Sequence, residues 1–310
     1  MSAVASRRLV GQPRYGDHVL SALTASAVMV ILVMLAVVIF DVVRGGAGTL
    51  SWEFVSQPPR DGMTAGGVFP AVFGTVALTL LMTVAAVPAG VATAIYLVEL
   101  ASPTSRVARL VRVCVANLAG VPSIVFGLFG LGFFIATIGR GIDAVAFGSR
   151  PTYGRPCLIW SSLTLAILTM PVVVVATEEA IRAVPRELRE ASLAVGATRM
   201  QTILRVVLPE ALSGILTGTI LAVSRGAGEV APILFTGVAY YLPSLPTHLN
   251  DQFMSLGYHV YVLATQSPDV DKTKPQLYGT ALVLLALTFL LNLVAITIRS
   301  RSRRRSGATH

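Results

Sequence analysis

Lysine and cysteine are both scarce in this chain of 310 residues. Only two of its 24 basic residues are lysines, Lys272 and Lys274, and neither follows a glycine-rich loop. The chain therefore lacks the lysine with which a P-loop ATPase binds phosphates, and any ATP hydrolysis must come from a partner. Its two cysteines, Cys114 and Cys157, are too few for a disulfide scaffold.

Charged residues are scarce as well. They make up 13% of the chain, whereas a soluble domain has about a quarter. Hydrophobic residues reach 54% and the mean hydropathy is +0.75, so the sequence predicts an integral membrane protein. The net charge of +9 comes from arginines that lie at the ends of apolar stretches. Membrane topology favours that placement, which argues against nucleic-acid binding.

The sequence also lacks the residue groupings of an enzyme. Its four histidines show no metal-ligand spacing, and they are His18, His248, His259 and His310. No Ser/His/Asp or Cys/His grouping stands out either. We therefore expect a non-catalytic chain without a metal site.

Six apolar stretches are long enough to cross a bilayer of about 30 Å as helices. We predict spans at 19–41, 69–98, 113–138, 157–177, 211–240 and 277–298. Loops rich in glycine, proline or charge separate several of them, at 44–67, 139–156 and 242–277. The predicted fold is an all-α polytopic protein with one domain over 1–310, whose core covers about 69–300.

The distribution of basic residues predicts the orientation. With both termini in the cytoplasm, the cytoplasmic segments hold sixteen Lys and Arg residues and the external segments seven. This asymmetry satisfies the positive-inside rule. Three arginines oppose it, because Arg140, Arg150 and Arg155 fall outside.

The polar stretch 178–209 lies between the fourth and fifth spans and predicts two short helices. Pro185 suits the first position of a helix, and Gly196 suits a left-handed terminator. Thr198 with Gln201 forms a capping box that starts the second helix, and Pro209 is expected to end it. On spacing alone, an amphipathic hairpin lying on anionic lipid remains an alternative.

A motif in this stretch adds a family resemblance. Glu190-Ala191-Ser192, with Gly196 four residues later and a final Leu208-Pro209, resembles the EAA loop of type I, MetI-like ABC-importer permeases. Ser192 replaces the second alanine of the motif. The resemblance implies that residues 178–209, here called the coupling segment, dock in a cleft of a cytoplasmic ATPase and transmit its closure to the membrane.

The fifth predicted span contains two charged residues, Arg225 and Glu229. Charges inside a span are costly, and they usually face a bundle interior or a water-filled path. Their spacing of four places them on one helical face, where they can pair. The pair is either a self-neutralised structural contact or an anion site. An anion site is possible because a guanidinium presents a fork of donors to phosphate-like oxygens.

Further motifs are similar to those of phosphate-importing permeases of this family. They are the segments 225–236, 120–128 and 66–75, so the resemblance runs from about 50 to 305. It implies a bacterial inner-membrane protein whose substrate pathway includes Arg225 and Glu229. The external loops 139–156 and 242–277 depart from the shortest family members.

The resemblance also implies partners. They are a homologous permease in a heterodimer, an ATPase dimer that binds ATP and Mg²⁺, and an external phosphate-binding protein. This chain itself is expected to hold no cofactor. The alternatives are the same architecture importing sulfate, molybdate or phosphonate, a secondary transporter that uses Glu229 as a coupling acid, and a scaffold or sensor subunit without transport.

Overall fold

The structure is a computed structural model that describes residues 15–148, 150–267 and 269–307. Helices dominate these residues, and two very short strands, β1 (Pro59–Arg60) and β2 (Ala65–Gly66), form an antiparallel pair. The helices are α1 (Tyr15–Gly46), α2 (Trp52–Ser56), α3 (Phe69–Ile95), α4 (Arg106–Ala119), α5 (Ser123–Phe129), α6 (Arg140–Ala146), α7 (Leu158–Arg182), α8 (Arg186–Ala194), α9 (Arg199–Thr202), α10 (Leu208–Gly228), α11 (Leu256–Thr265) and α12 (Val270–Gly307).

Wider π-helical turns extend or join some of these helices. Tyr96–Leu100 prolongs α3, Gly130–Gly139 joins α5 to α6, and Ile203–Val207 joins α9 to α10. Within the described residues, six continuous helices are long and apolar enough to cross a membrane. The predicted all-α fold with six membrane-spanning helices is therefore confirmed, whereas the single domain over 1–310 stays a prediction.

Helix α7 lies at the centre of the bundle. Most of its side chains are buried, with Leu165 and Val173 fully so. Small residues bring its neighbours close: Gly90 of α3 leaves room for Val173, and Gly218 of α10 packs against Ala176. Close approach through glycine and alanine is the usual way for helices to pack in a bilayer, where apolar side chains gain little by leaving lipid.

Helix α1 differs from α7, because almost all of its described side chains are exposed. It packs along α12, where the Tyr278 hydroxyl donates to an Asp41 carboxylate oxygen at 2.8 Å. Its exposed apolar surface suits lipid or another membrane subunit.

The third predicted span, 113–138, proves to be two helices. Helix α4 starts at Arg106 and ends at Ala119, and α5 starts only at Ser123. Pro122 has an extended ψ of 138° and supplies no N–H, and a proline also disfavours helical geometry in the residue before it. The chain then stays helical as far as Ala146, so the first part of the predicted loop 139–156 is helical.

The fifth predicted span, 211–240, is displaced. Pro209 does not end a helix, because one continuous helix runs from Arg199 to Gly228. The π-helical turn just before Pro209 widens the helix where the proline ring would otherwise clash. The helix ends at Gly228, and turns follow as far as Gly237.

The remaining boundaries differ by less. The fourth span extends to Arg182, and α12 already begins at Val270. The predicted loop 242–277 therefore contains the start of α12 and all of α11, whose Leu256, Val262 and Leu263 are buried. An apolar helix of ten residues is too short to cross a bilayer alone, which is why the sequence did not indicate it.

Candidate functional site: a charged pair and a coupling segment

Arg225 and Glu229 lie close together, as their spacing predicts. The Arg225 Nε is 3.4 Å from Oε1 of Glu229, and the two side chains are 48% and 21% exposed. Arg225 belongs to the last turn of α10, and Glu229 is the first residue after it, in an extended conformation. The pair thus joins the end of a helix to the turn that follows.

The pair lies near the middle of the bundle's depth. Gly226, next to Arg225, packs against Met82 of α3 and lies close to Thr169 of α7. Met82 is close to the midpoint of the 27-residue α3, and Thr169 close to that of the 25-residue α7. A half-exposed guanidinium at this depth is costly in lipid, so this face of the chain must meet a partner subunit or water.

Two helix breaks lie near the pair, since Ala119 at the end of α4 lines the same cleft as Arg225, and α10 ends directly before Glu229. One is the break at 120–122 between α4 and α5, and the other follows Gly228. The turns after Gly228 pack against α5, where a Cβ on Gly127 would lie 3.0 Å from the Pro232 carbonyl oxygen. Ile233 and Thr236 in these turns are fully buried. Irregular backbone at membrane depth is tolerated because protein surrounds it.

Arg225 also borders a cleft of about 380 Å³ between α4, α7 and α10. Its wall is mostly apolar, and Glu179 of α7 contributes the other charge. The cleft therefore gives the guanidinium an approach that leads towards the end of α7 at which the coupling segment begins.

The local geometry of the coupling segment agrees with the prediction at two points. Gly196 has a φ of +87° and ends the first helix. The Thr198 N–H donates to Oε1 of Gln201 at 2.8 Å, and the Gln201 N–H donates to the Thr198 hydroxyl at 3.3 Å. Pro185 is the residue before α8 rather than its first helical residue. The hydroxyls of Ser192 and Thr202 lie 2.9 Å apart and link the two helices.

This segment presents an exposed surface. Glu190, Ala191 and Gly196 are exposed together at α8 and the turn after it, whereas Leu208 and Pro209 lie apart at the start of α10. Helix α8 contains no fully buried residue. Large apolar side chains are exposed around the turn, and they are Leu193, Val195, Met200 and Leu204. Such a patch beside charged groups is typical of a protein-binding surface.

One arrangement was missed by sequence reasoning. Arg189 of α8 donates to a carboxylate oxygen of Glu99, at the end of α3, from Nε at 3.2 Å and from Nη2 at 3.0 Å. It also donates to the carbonyl oxygens of Ile181 and Val184 at 2.7 and 2.6 Å. The only available signal was that Glu99 is the sole acid in the stretch 99–112, which was predicted to be cytoplasmic. The 90 residues between the partners gave no indication of pairing.

Comparison with known proteins identifies the family. The sequence profile described as "Binding-protein-dependent transport system inner membrane component" matches residues 86–306. The chain belongs to this family. One relative is the "Phosphate transport system permease protein PstA 1" of Mycobacterium tuberculosis (strain CDC 1551 / Oshkosh), 38% identical over 242 residues, which are 78% of this chain and 73% of the relative. Another, PstA of Xylella fastidiosa (strain 9a5c), is 32% identical over 267 residues, 83% of this chain and 82% of that protein.

Solved structures of the family support the fold. A chain of the bacterial alginate ABC transporter, crystallised with an alginate pentasaccharide-bound periplasmic protein, matches with a TM-score of 0.66 at 15% identity, covering 92% of this chain and 95% of that chain. An inward-facing MetNI methionine transporter chain gives a TM-score of 0.55 at 19% identity, covering 75% and 94%. The predicted MetI-like permease fold is confirmed.

Family membership also decides between the broader alternatives. The chain is a membrane permease subunit of an ABC importer. Such a subunit works in general with a second permease, an ATPase and a binding protein. The secondary transporter is therefore the wrong alternative, although the helix does break next to Glu229.

Proposed function

We propose that this chain is the permease subunit of an ATP-driven importer of inorganic phosphate. Its partners would be a PstC-like permease, a PstB-like ATPase dimer and a PstS-like phosphate-binding protein. The names of the relatives support the substrate. ATP and Mg²⁺ would be bound by the ATPase, and this chain would form the translocation pathway with the second permease.

The observation that carries the proposal is the placement of Arg225. Its guanidinium is half exposed at mid-depth, and within the described part of the chain its one acid partner is Glu229, four residues away at 3.4 Å. A contact that long leaves donors free for a tetrahedral oxyanion, which a guanidinium can bind with two parallel hydrogen bonds. Glu229 would neutralise Arg225 while the site is empty and release it when phosphate arrives.

The coupling segment would transmit the movement of the ATPase to the membrane helices. Its exposed residues Glu190, Ala191 and Gly196 would dock in the ATPase cleft, with Leu208 and Pro209 passing the movement into α10. When ATP closes the ATPase dimer, the segment moves and the pathway opens outward to accept phosphate. Return of the ATPase to its open state would expose Arg225 to the cytoplasm.

The nearest alternative is another oxyanion in the same pathway. Sulfate, molybdate and phosphonate also present several oxygens to a guanidinium fork. Competition by unlabelled sulfate, molybdate and phosphonate against labelled phosphate separates these substrates. Phosphate uptake that excess sulfate abolishes would assign the site to sulfate.

Uptake of radiolabelled phosphate, beside the amount of assembled complex, tests the proposal. Arg225→Gln should abolish uptake in a complex that still assembles. Arg225→Lys should be partly active, because it keeps the charge and loses the fork. Glu229→Gln should lose less uptake than Arg225→Gln. Recovery of uptake in the double variant Arg225→Gln, Glu229→Gln would show a structural pair and contradict the anion site.

The proposed location is the bacterial inner membrane, with both termini in the cytoplasm. Cysteines introduced at Ser102 and Ser302 should react only with reagent supplied from the cytoplasmic side. A cysteine at Ser267 should react from outside. Labelling of the Ser302→Cys variant from outside in intact cells would contradict this orientation.

A further inference from the structure

Three groups around Arg189 form a mostly buried junction between three helices. The Arg189 guanidinium meets the Glu99 carboxylate and the Ile181 and Val184 carbonyl oxygens, all within 3.2 Å. The Arg189 and Glu99 side chains are only 20% and 12% exposed. We call these four residues the Arg189 junction.

The junction supplies hydrogen-bond donors to carbonyl groups at the end of α7. The last carbonyl groups of a helix have no partners within it. Those of Ile181 and Val184 lie where α7 ends, and both side chains are buried; the Ile181 oxygen also accepts from the Val184 N–H at 3.3 Å. Arg189 gives the Ile181 carbonyl a second donor and the Val184 carbonyl a donor from the neighbouring helix α8, while Glu99 neutralises its charge. A guanidinium has five donors on several edges of one plane, so it can serve these three acceptors at once in fixed directions.

The junction continues into α4. Arg112 of α4 donates from Nη2 to the Leu97 carbonyl oxygen at 2.9 Å, next to Glu99 in the π-helical end of α3. The Nε of Arg112 also lies 4.0 Å from the Glu178 carboxylate of α7. The cytoplasmic ends of α3, α4 and α7 are therefore connected by polar contacts, and α4 and α7 line the cleft at Arg225.

Helix α8 has few other contacts. It buries no side chain fully, Leu188 is only half-buried against the ends of α7 and α10, and the Ser192 hydroxyl meets that of Thr202 in α9. If α8 docks on the ATPase, one apolar contact and one hydroxyl contact would allow it to rotate relative to α3 and α7. A multidentate, mostly buried arginine fixes orientation as well as distance.

We propose that Arg189 is a positioning residue that makes α8 move as one body with the cytoplasmic ends of α7 and α3. Closure of the ATPase is thereby converted into movement of the helices that line the Arg225 cleft. The inference rests on the proposed docking role of the coupling segment. It does not depend on phosphate being the substrate.

Spin-label distances test this movement directly. Labels at the exposed positions Leu193 on α8 and Ser102 after α3 are measured in the importer purified from native membranes with its own ATPase and second permease. The two states are nucleotide-free and trapped with ATP and vanadate. In the parent protein, the distance between the labels should change by no more than about 2 Å from one state to the other. In Arg189→Gln, the change in distance or the width of its distribution should exceed that. A distance that changes equally in both proteins would overturn the proposal.

Coupling gives the second measurement. Arg189→Gln should keep the ATPase in the complex and at least half of its ATP hydrolysis, while uptake per ATP falls at least tenfold. The uptake per ATP of Arg189→Lys should lie between that of the parent protein and that of Arg189→Gln. The matched control is Arg109→Gln, an exposed arginine of α4 that lies outside the coupling segment, which should leave the ratio unchanged. Loss of uptake in proportion to lost complex would reduce Arg189 to a purely structural role.

A charge exchange separates the junction from a simple ion pair. Arg189→Glu with Glu99→Arg restores opposite charges, but a carboxylate cannot donate to the Ile181 and Val184 carbonyl groups. Uptake per ATP should therefore remain low, and recovery would contradict the junction. Absence of phosphate uptake in the parent complex would refute only the proposed substrate, because the spin-label distances do not use it.

Discussion

Two Arg–Glu pairs in this chain have the same chemistry and opposite surroundings. Arg225 and Glu229 are four residues apart at mid-depth, with one contact of 3.4 Å and an arginine that is 48% exposed. Arg189 and Glu99 are 90 residues apart, where α8 meets the ends of α3 and α7, with contacts of 3.0 and 3.2 Å and an arginine that is 20% exposed.

The difference shows which pair is able to exchange partners. The guanidinium of Arg189 has its donors occupied by a carboxylate and two carbonyl groups, so a ligand could enter only by breaking several bonds. Among the described residues, that of Arg225 has one contact, of 3.4 Å, so the anion proposed to bind there would break no network. We interpret the first pair as a fixed joint and the second as a binding group.

The largest effect is expected from reversing the exposed pair. Arg225→Glu with Glu229→Arg keeps one charge of each sign but moves the guanidinium by one helical turn, about 5–6 Å. Phosphate uptake should fall at least 100-fold while the complex still assembles, because a binding group depends on its position. Parent-level uptake in the reversed variant would mean that pairing alone is required.

The coupling turn should have the next largest effect. Gly196 has a φ of +87°, which a β-branched residue tolerates poorly. Gly196→Val should lower uptake about tenfold or more and reduce ATPase retention, while the membrane spans still insert. Gly196→Asn is the matched control, because asparagine adopts left-handed geometry more readily. Normal transport and normal ATPase retention in the valine variant would remove the segment from this role.

The two glutamates should differ in how much they contribute to thermal stability. Glu99→Gln leaves a mostly buried arginine without its counter-charge and should cost about 2–3 kcal/mol. Glu229→Gln leaves an arginine that water or a partner can reach, and it should cost less than about 1 kcal/mol. The midpoint of thermal unfolding of the detergent-purified subunit measures both. Equal losses would erase the distinction between the joint and the binding group.

A third carboxylate, that of Asp251 in the turn 247–251, is held mainly by backbone donors. The N–H groups of His248 and Thr247 donate to it at 2.9 and 3.0 Å, whereas the Arg155 guanidinium is 4.0 Å away. The His248 N–H is the main cause that lowers the pKa of Asp251 below its ordinary value of 3.8.

The smallest effect is expected from this carboxylate. Because its pKa is lowered in the folded state, it stabilises the protein above about pH 4, and that contribution is lost as the pH falls further. The unfolding midpoint of Asp251→Asn should lie a few degrees below the parent's from pH 7 to 5, and the gap should close below pH 4. Arg155→Gln should change the unfolding midpoint little at any of these pH values. A gap that is widest in acid would contradict this account.

Local chemistry in the sequence was sufficient for some of these features. Gly196 and the Thr198–Gln201 capping box depend on neighbouring residues alone, and the spacing of Arg225 and Glu229 gave their pairing directly. Long apolar stretches likewise indicated six spans, because the bilayer sets their length.

Features that depend on tertiary packing were not predictable in the same way. Pro171 lies inside α7 and Pro209 inside the helix that begins at Arg199, and neither ends its helix, whereas the chain does break at Pro122. Neighbouring helices and a wider turn decide which of these prolines is accommodated. The link between Glu99 and Arg189 has no local signature at all, since it forms only when the ends of α3 and α8 meet.

The unbroken helix from Arg199 to Gly228 has the proportions of a lever arm. At 1.5 Å per residue, the stretch between Arg199 and Arg225 is about 39 Å long. A rod of that length that tilts by about 5° sweeps its far end through roughly 3 Å, close to the length of one hydrogen bond. Glu229 lies beyond the rod, next to turns that pack against α5, and does not have to follow it. If the coupling segment docks on an ATPase as proposed, a small stroke at that end would be sufficient to open or close the grip on Arg225.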